Sequence, residues 1–224
     1  TLVNDDLGDD TLPTVVGTGI ADFAINHESY LTFSSLVDAK TGKYTTGYYR
    51  SGSTAQSAVA TSASAKSQIA IAHYFNADYM VIYDGSNLTI SQIGSDINTF
   101  NARSSMIATL PNVGDIDSLD FGPNGRFVVA TSKTNHLVYD LELSKYADIS
   151  TSEAGSTLSW LDEYYLASVK SEKLSIYEFD GQNKHEITAG MPGQAVVVST
   201  NNSYIYTFAH SGTQVIFTKS RLTI

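Results

Sequence analysis

The chain has 224 residues, 42% hydrophobic and 16% charged, with no cysteine and a net charge of −10. This balance suits a packed core or a row of repeats and argues against global disorder, while the missing cysteines exclude disulfides, thiolate zinc sites and a cysteine nucleophile. The acidic excess opposes nucleic acid and anionic lipid surfaces, so neither is an expected partner.

Residues 1–10 carry Asp5, Asp6, Asp9 and Asp10 and read as an acidic, solvated lead-in without the spacing of a calcium loop. From residue 11 onward, short runs of period-two alternation separated by Gly, Asn, Asp and Ser clusters predict antiparallel strands. TLPTVVGTGI at 11–20 is similar to TLPNVGDI at 109–116, so residues 11–17 read as an orphan fourth strand leading into the first repeat.

The first unit spans about 19–62, with GIADFAINHESYLTFSSL, the turn DAKTGK, KYTTGYYR and QSAVATS. The second, about 66–110, has three strands in QIAIAHYFNADYMVIYDGSNLTISQI and a fourth in SSMIATL. Between them GSDINTFNAR, 94–103, breaks the tight spacing. Long loops on rigid scaffolds tend to bind, so Asp96, Asn98, Phe100, Asn101 and Arg103 form a candidate contact loop. The third unit, about 115–150, shows the grammar most clearly: strand, GPNG turn, RFVVATS, KTN, HLVYDLEL and KYADIS. The fourth, about 155–190, repeats it with LDE and SEK as inner turns, and the fifth, about 193–224, has three strands and no fourth.

Unit starts recur every 38 to 48 residues or so, the range of four-stranded blades. The expected fold is therefore all-β: one domain over 11–224, a β-propeller of about five four-stranded antiparallel blades. It is either closed by residues 11–17 completing the last blade, or an arc of a larger propeller.

Chemistry is sparse. Asp22, Asp117, Asp120, Asp162 and Glu163 lie on or just after innermost strands, where a glycoside hydrolase would gather three carboxylates from separate blades within about 10 Å. Against this, Asp162 and Glu163 fall in a turn, and Asp117 and Asp120 flank GPNG, where acids cap backbone amides. His27, His73, His136, His185 and His210 fall one to a unit at unlike positions without metal-ligand spacing. No nucleophile elbow or phosphate-cradling loop is present, and no catalytic residue, metal or cofactor is expected.

Trp160 reads as packing between blades. Of the tyrosines on strands, Tyr48, Tyr49, Tyr79, Tyr83, Tyr164, Tyr165, Tyr204 and Tyr206, those adjacent in sequence must face opposite sides, leaving half for core and half for an aromatic surface toward protein or sugar. The triplets starting at Asn87 and Asn201 read as turns. No apolar run approaches the roughly 20 residues of a membrane-spanning helix, and the start at Thr1 lacks a signal-peptide pattern, so any anchor or export signal is expected outside this chain.

The segments HYFNADYMVIYDGSNLTI, GRFVVATSKTNHLVYDLEL, TLSWLDEYYLASVKSEKLSIYEFDGQNKHEI and YIYTFAHSGTQVIFTKSRLTI resemble the C-terminal region of bacterial PEGA-domain proteins, over about residues 15–224. The Gly-centred turn in FGPNGRFVVAT also resembles WD-type repeats, although no unit has their Gly-His or Trp-Asp pairs. The PEGA resemblance implies a surface-displayed protein, anchored upstream, with a propeller-like region longer than this chain. The function expected is a non-enzymatic binding or presentation scaffold for a protein or glycan at a bacterial cell surface; the alternatives are a carbohydrate-active enzyme using the funnel and a structural spacer.

Overall fold

A computed structural model describes residues 2–4, 14–26, 30–50, 57–93, 106–150, 158–194, 196–201 and 203–222. They form strands joined by turns, with no helix among them and hence none able to cross a membrane. The reason is compositional: β-branched and aromatic residues alternate, and Gly, Asn and Asp interrupt every run before a helical period can form.

Strands β1 (Leu2–Asn4) and β2 (Thr14–Gly17) pair as a two-stranded sheet. The first four-stranded sheet is β3 (Ile20–Asn26), β4 (Tyr30–Ser35), β5 (Tyr44–Arg50) and β6 (Ser57–Ser62). The second is β7 (Gln68–Tyr74), β8 (Ala77–Tyr83), β9 (Leu88–Ile93) and β10 (Met106–Leu110). The third is β11 (Ser118–Phe121), β12 (Phe127–Thr131), β13 (Asn135–Asp140) and β14 (Lys145–Ser150). The fourth is β15 (Leu158–Trp160), β16 (Tyr165–Lys170), β17 (Lys173–Glu178) and β18 (His185–Ala189). The last has three strands, β19 (Val197–Val198), β20 (Tyr204–Ser211) and β21 (Gln214–Arg221).

The N-terminal reading is corrected in one respect. Thr14 pairs with Asn4, and Val15 with Val3, so part of the expected lead-in is a strand and the orphan strand has a partner of its own. The chain divides into two compact units, Thr1–Phe121 and Gly122–Ile224.

In the first unit the first two sheets share a cluster of Tyr30, Tyr48, Ile69, Ile71, Met80, Ile82 and Ile93. Phe33 and Tyr49 pack with Ile20 and Leu31 in a separate cluster. Tyr48 and Tyr49, adjacent and opposed, are thus both buried, and neither is the outward-facing member expected of the pair. Burying each such side chain contributes about 1.5–3 kcal/mol. Asn26 ties the sheets together: its Oδ1 accepts the Ile71 N–H at 3.0 Å and its Nδ2 donates to Thr32 Oγ1 at 2.7 Å, which satisfies a buried amide inside an apolar layer.

In the second unit, Phe127, Val129, Val138, Leu166 and Tyr177 fill the space between the third and fourth sheets, with Trp160 stacked 5.5 Å from the Phe127 ring. Trp160 plays the packing role expected of it. Gly122 makes room: a Cβ there would stand 3.0 Å from the indole. Ala167, Val169, Leu174, Ile176, Val196 and Ile205 join the fourth sheet to the last one.

Candidate functional site

The last sheet breaks the pattern of its predecessors. Its hairpin turns through Gly212, whose φ of +61° suits the first position of a two-residue II′ turn. The register sets Tyr204 opposite Arg221, Tyr206 opposite Lys219, Phe208 opposite Phe217 and His210 opposite Val215. These eight side chains share one face, because alternate residues of a strand point the same way. On the other face Ile205, Thr207 and Ala209 are buried.

The outward face is aromatic and cationic. Tyr206 stacks on Phe217 with centroids 5.7 Å apart, Phe208 meets Phe217 edge-on at 5.5 Å, and the Lys219 ammonium lies 3.9 Å from the Tyr204 centroid. Phe217 is 64% exposed and Val215 53%. Lys219 and Arg221 are the charged residues that the two strands contribute to this face, on a chain of net charge −10. Tyr204 and Tyr206, candidates for an aromatic surface, do gather here; Phe208, Phe217 and Lys219 were legible only as alternate strand positions whose pairing register was unknown.

A second concavity lies in the first unit. Asp22, Lys66, Gln68, Asp117, Thr32 and Ser34 are among the residues lining a cleft of about 350 Å³. Two of the five candidate carboxylates are therefore brought together. Asp22 Oδ1 accepts the Phe23 N–H at 2.9 Å, Gln68 Nε2 donates to the Asp117 carbonyl at 3.3 Å, and Lys66 Nζ holds Asp115 at 2.5 Å on the exposed rim. Asp120 is not among the lining residues. Desolvation raises its carboxyl pKa although the residue keeps accessible surface, and the Phe121 N–H, donating to Oδ1 at 2.8 Å, opposes the rise. Asp162 and Glu163 belong to the other unit. Asp162 Oδ1 accepts the N–H groups of Tyr164 and Tyr165, each at 2.8 Å, which is turn capping.

The histidines are dispersed, and no cluster of three or more metal-ligating side chains exists among the described residues. His136 is buried with Nδ1 3.1 Å from Thr131 Oγ1. His73 Nδ1 lies 2.8 Å from Asp78 Oδ1, and Tyr30 donates to Asp78 Oδ2 at 2.5 Å. Burial and that hydrogen bond push the Tyr30 hydroxyl well above its ordinary value. Sequence reading missed Asp78 and Tyr30. The five-residue offset from His73 to Asp78 across a two-residue turn was the available signal. Asn87 and Asn201 sit in turn networks, Asn87 bonded to Asp84 and Asn201 to Ser199. The contact loop of Asp96, Asn98, Phe100, Asn101 and Arg103 lies outside the described residues, as does His27.

No protein-family model matches the sequence, and no curated protein matches it. Among solved structures the chain is similar to Hsv2p of Kluyveromyces lactis, at 14% identity and a TM-score of 0.53, over 91% of this chain and 61% of that one. A chain of the mitotic checkpoint complex is similar at 12% identity and 0.53, over 91% and 65%. The dihydro-heme d1 dehydrogenase NirN in complex with DHE is similar at 12% and 0.54, over 91% and 48%. The shared fold is the β-propeller. The chain spans less than two thirds of each of these structures. A dehydrogenase and a checkpoint assembly both use the fold, so the fold alone does not select a chemistry.

Proposed function

We propose that the chain is a non-enzymatic binding or presentation scaffold, displayed at a bacterial cell surface, that takes a protein partner on the outward face of β20 and β21. The observation that carries this is the array of Tyr204, Tyr206, Phe208, Phe217, Lys219 and Arg221 on one face, with Phe208, Phe217, Lys219 and Arg221 exposed. Aromatic rings and cations on a rigid sheet supply contact area at little entropic cost, as interface anchors do. Surface display rests on the resemblance to PEGA-domain proteins. A pure spacer has no use for such a face or for the unit-one cleft.

The rival, a carbohydrate-active enzyme, draws on one observation: Asp22 and Asp117 line the same cleft. A panel of glycans incubated with the protein and with Asp22→Ala and Asp117→Ala decides between them. The scaffold reading expects no turnover from any of the three proteins. Turnover by the unmodified protein that either substitution abolishes sinks it.

A further inference from the structure

Packing is uneven on the face of the fourth sheet that meets the third. Leu166 pairs with Tyr177 and Ser168 with Ser175, so these four side chains share that face. Leu166 and Tyr177 pack on Phe127, Val129 and Val138. Ser168 and Ser175 are also buried, but they are too small to fill their part of the layer. On the second sheet the face turned toward the first carries Met80, Ile82 and Ile93 instead, and an apolar cluster closes the space. Between the third and fourth sheets a groove of about 280 Å³ stays open.

This groove lies within the second compact unit, between two complete four-stranded sheets. Its floor is hydroxylic: Ser168, Ser175 and Tyr177 are buried there, and the Ser168 hydroxyl hydrogen-bonds the Tyr177 oxygen. One wall is Ile149, against which the β17–β18 loop closes at Gly181; with φ at +80°, a Cβ on Gly181 would stand 3.2 Å from the Ile149 side chain. His136 is directly opposite Ile149 in register and is buried with Nε2 unpartnered, so polar capacity beside the groove exceeds what the protein supplies.

The remaining lining is charged in balance, Asp148 and Asp180 against Lys170 and Lys184, together with the Gln182 carboxamide. Asp148 Oδ2 accepts from Asn135 Nδ2 at 3.3 Å, and Asp180 Oδ1 accepts the Gln182 N–H at 2.9 Å. Both carboxylates are thereby oriented, and both keep lone pairs for a ligand. A cation or an anion in this groove meets as many like charges as opposite ones. A neutral molecule that donates and accepts hydrogen bonds at several points suits the whole set, and a volume at the low end of ligand pockets admits one ring.

We propose that the groove between the third and fourth sheets binds a single neutral sugar residue, such as the terminal unit of a glycan. Its hydroxyls bond to Asp148, Asp180, Gln182 and Lys184 above the Ser168 and Ser175 floor, and its C–H face rests on Ile149. The site goes beyond the scaffold reading and is independent of the face of β20 and β21.

The test titrates the isotope-labelled whole chain with the methyl glycosides of glucose, galactose, mannose and N-acetylglucosamine, each to about 50 mM, and follows backbone amide shifts. At least one glycoside is expected to bind saturably with a Kd on the order of millimolar, as suits a ligand of about a dozen non-hydrogen atoms. The shifted amides should include those of Ile149, Ser168, Ser175 and Gly181. Gln182→Ala with Lys184→Ala, both on the exposed rim, should weaken binding at least about fivefold, and so should Ser175→Ala on the floor. An otherwise unchanged amide spectrum establishes that each variant is folded.

No saturable shift with any of the four glycosides overturns the proposal. Shifts confined to the first unit, or binding that both variants retain in full, overturn it as well, because they place the sugar elsewhere. Binding of glucosamine, glucuronate or the zwitterion glutamine about tenfold tighter than the best neutral glycoside also overturns it, because the groove then selects charge.

Discussion

Arg126 holds Asp140 at two points, its Nε donating to Oδ1 at 2.9 Å and its Nη2 to Oδ2 at 2.7 Å. Asp140 Oδ1 also accepts the N–H groups of Glu142 and Leu143, at 2.9 and 3.2 Å, so one buried carboxylate shapes the turn between β13 and β14. Burial alone pushes this carboxyl up, but the Arg126 hydrogen bonds and the turn amides together outweigh it and hold the pKa below the usual range. Arg126→Ala leaves the charge buried and half-paired. A loss of about 3 kcal/mol is expected in urea unfolding at pH 7, and Arg126→Lys should recover only part of it, because an ammonium has no two-point fork.

The Asp140 contribution also has a pH window. With a folded pKa below the unfolded one, its stabilisation is present above the ordinary carboxylate pKa and is lost as pH falls through the acid range. Acid unfolding followed by circular dichroism should therefore show a shallower pH slope below about pH 4 in Arg126→Ala than in the unmodified protein.

His136 acts in a different window. Its Nε2 is buried without a partner, and burial lowers its pKa from 6.5 to about 4. Above pH 6.5 both folded and unfolded forms are neutral and nothing is lost. Between 6.5 and about 4 only the unfolded chain takes the proton, so stability falls with pH across that interval, by up to roughly 3 kcal/mol, and levels off below it. Urea midpoints at successive pH values should show this fall, and His136→Leu should flatten it.

The β16–β17 hairpin turns through Ser171 and Glu172, both left-handed at φ 49° and 59°. Two positive φ values match a type I′ turn, which favours Asn-Gly over residues that pay for a Cβ in that region. Ser171→Asn with Glu172→Gly should stabilise the fold by about 1 kcal/mol, a rise of roughly 2–4 °C in thermal midpoint. An unchanged or lower midpoint would mean that the Ser171 and Glu172 side chains contribute more than the strain costs.

Phe75 carries comparable strain in the β7–β8 turn. It is 81% exposed at φ 58°, with its ring 5.7 Å from that of Tyr74. Phe75→Gly removes a left-handed bulky residue that packs little, and a gain of about 1 kcal/mol is expected by calorimetry.

Much of the architecture is legible because its determinants are local. The GPNG turn works as its residues suggest: the Gly125 N–H donates to the Gly122 carbonyl at 2.9 Å and the Arg126 N–H to Asn124 Oδ1 at 3.0 Å. Asp162 caps its own turn, and Trp160 packs where an isolated indole on an inner strand should. Period-two alternation likewise marks each strand, since the pleat itself imposes it.

The sequence by itself determined the strands, their turns and their grouping into repeated units, because these depend on propensity, alternation and turn chemistry within a few residues. Only the tertiary structure decided which faces are covered. Tyr48 and Tyr49 are equivalent in type and both vanish into packing, whereas Phe217, on a strand of the same grammar, stands 64% exposed. Cover comes from another strand or sheet tens of residues away, and alternation within one strand carries no information about whether that cover is present. The pairing of Thr14–Gly17 with Leu2–Asn4 is non-local in the same way, and so is the meeting of Asp22 with Asp117 along one cleft.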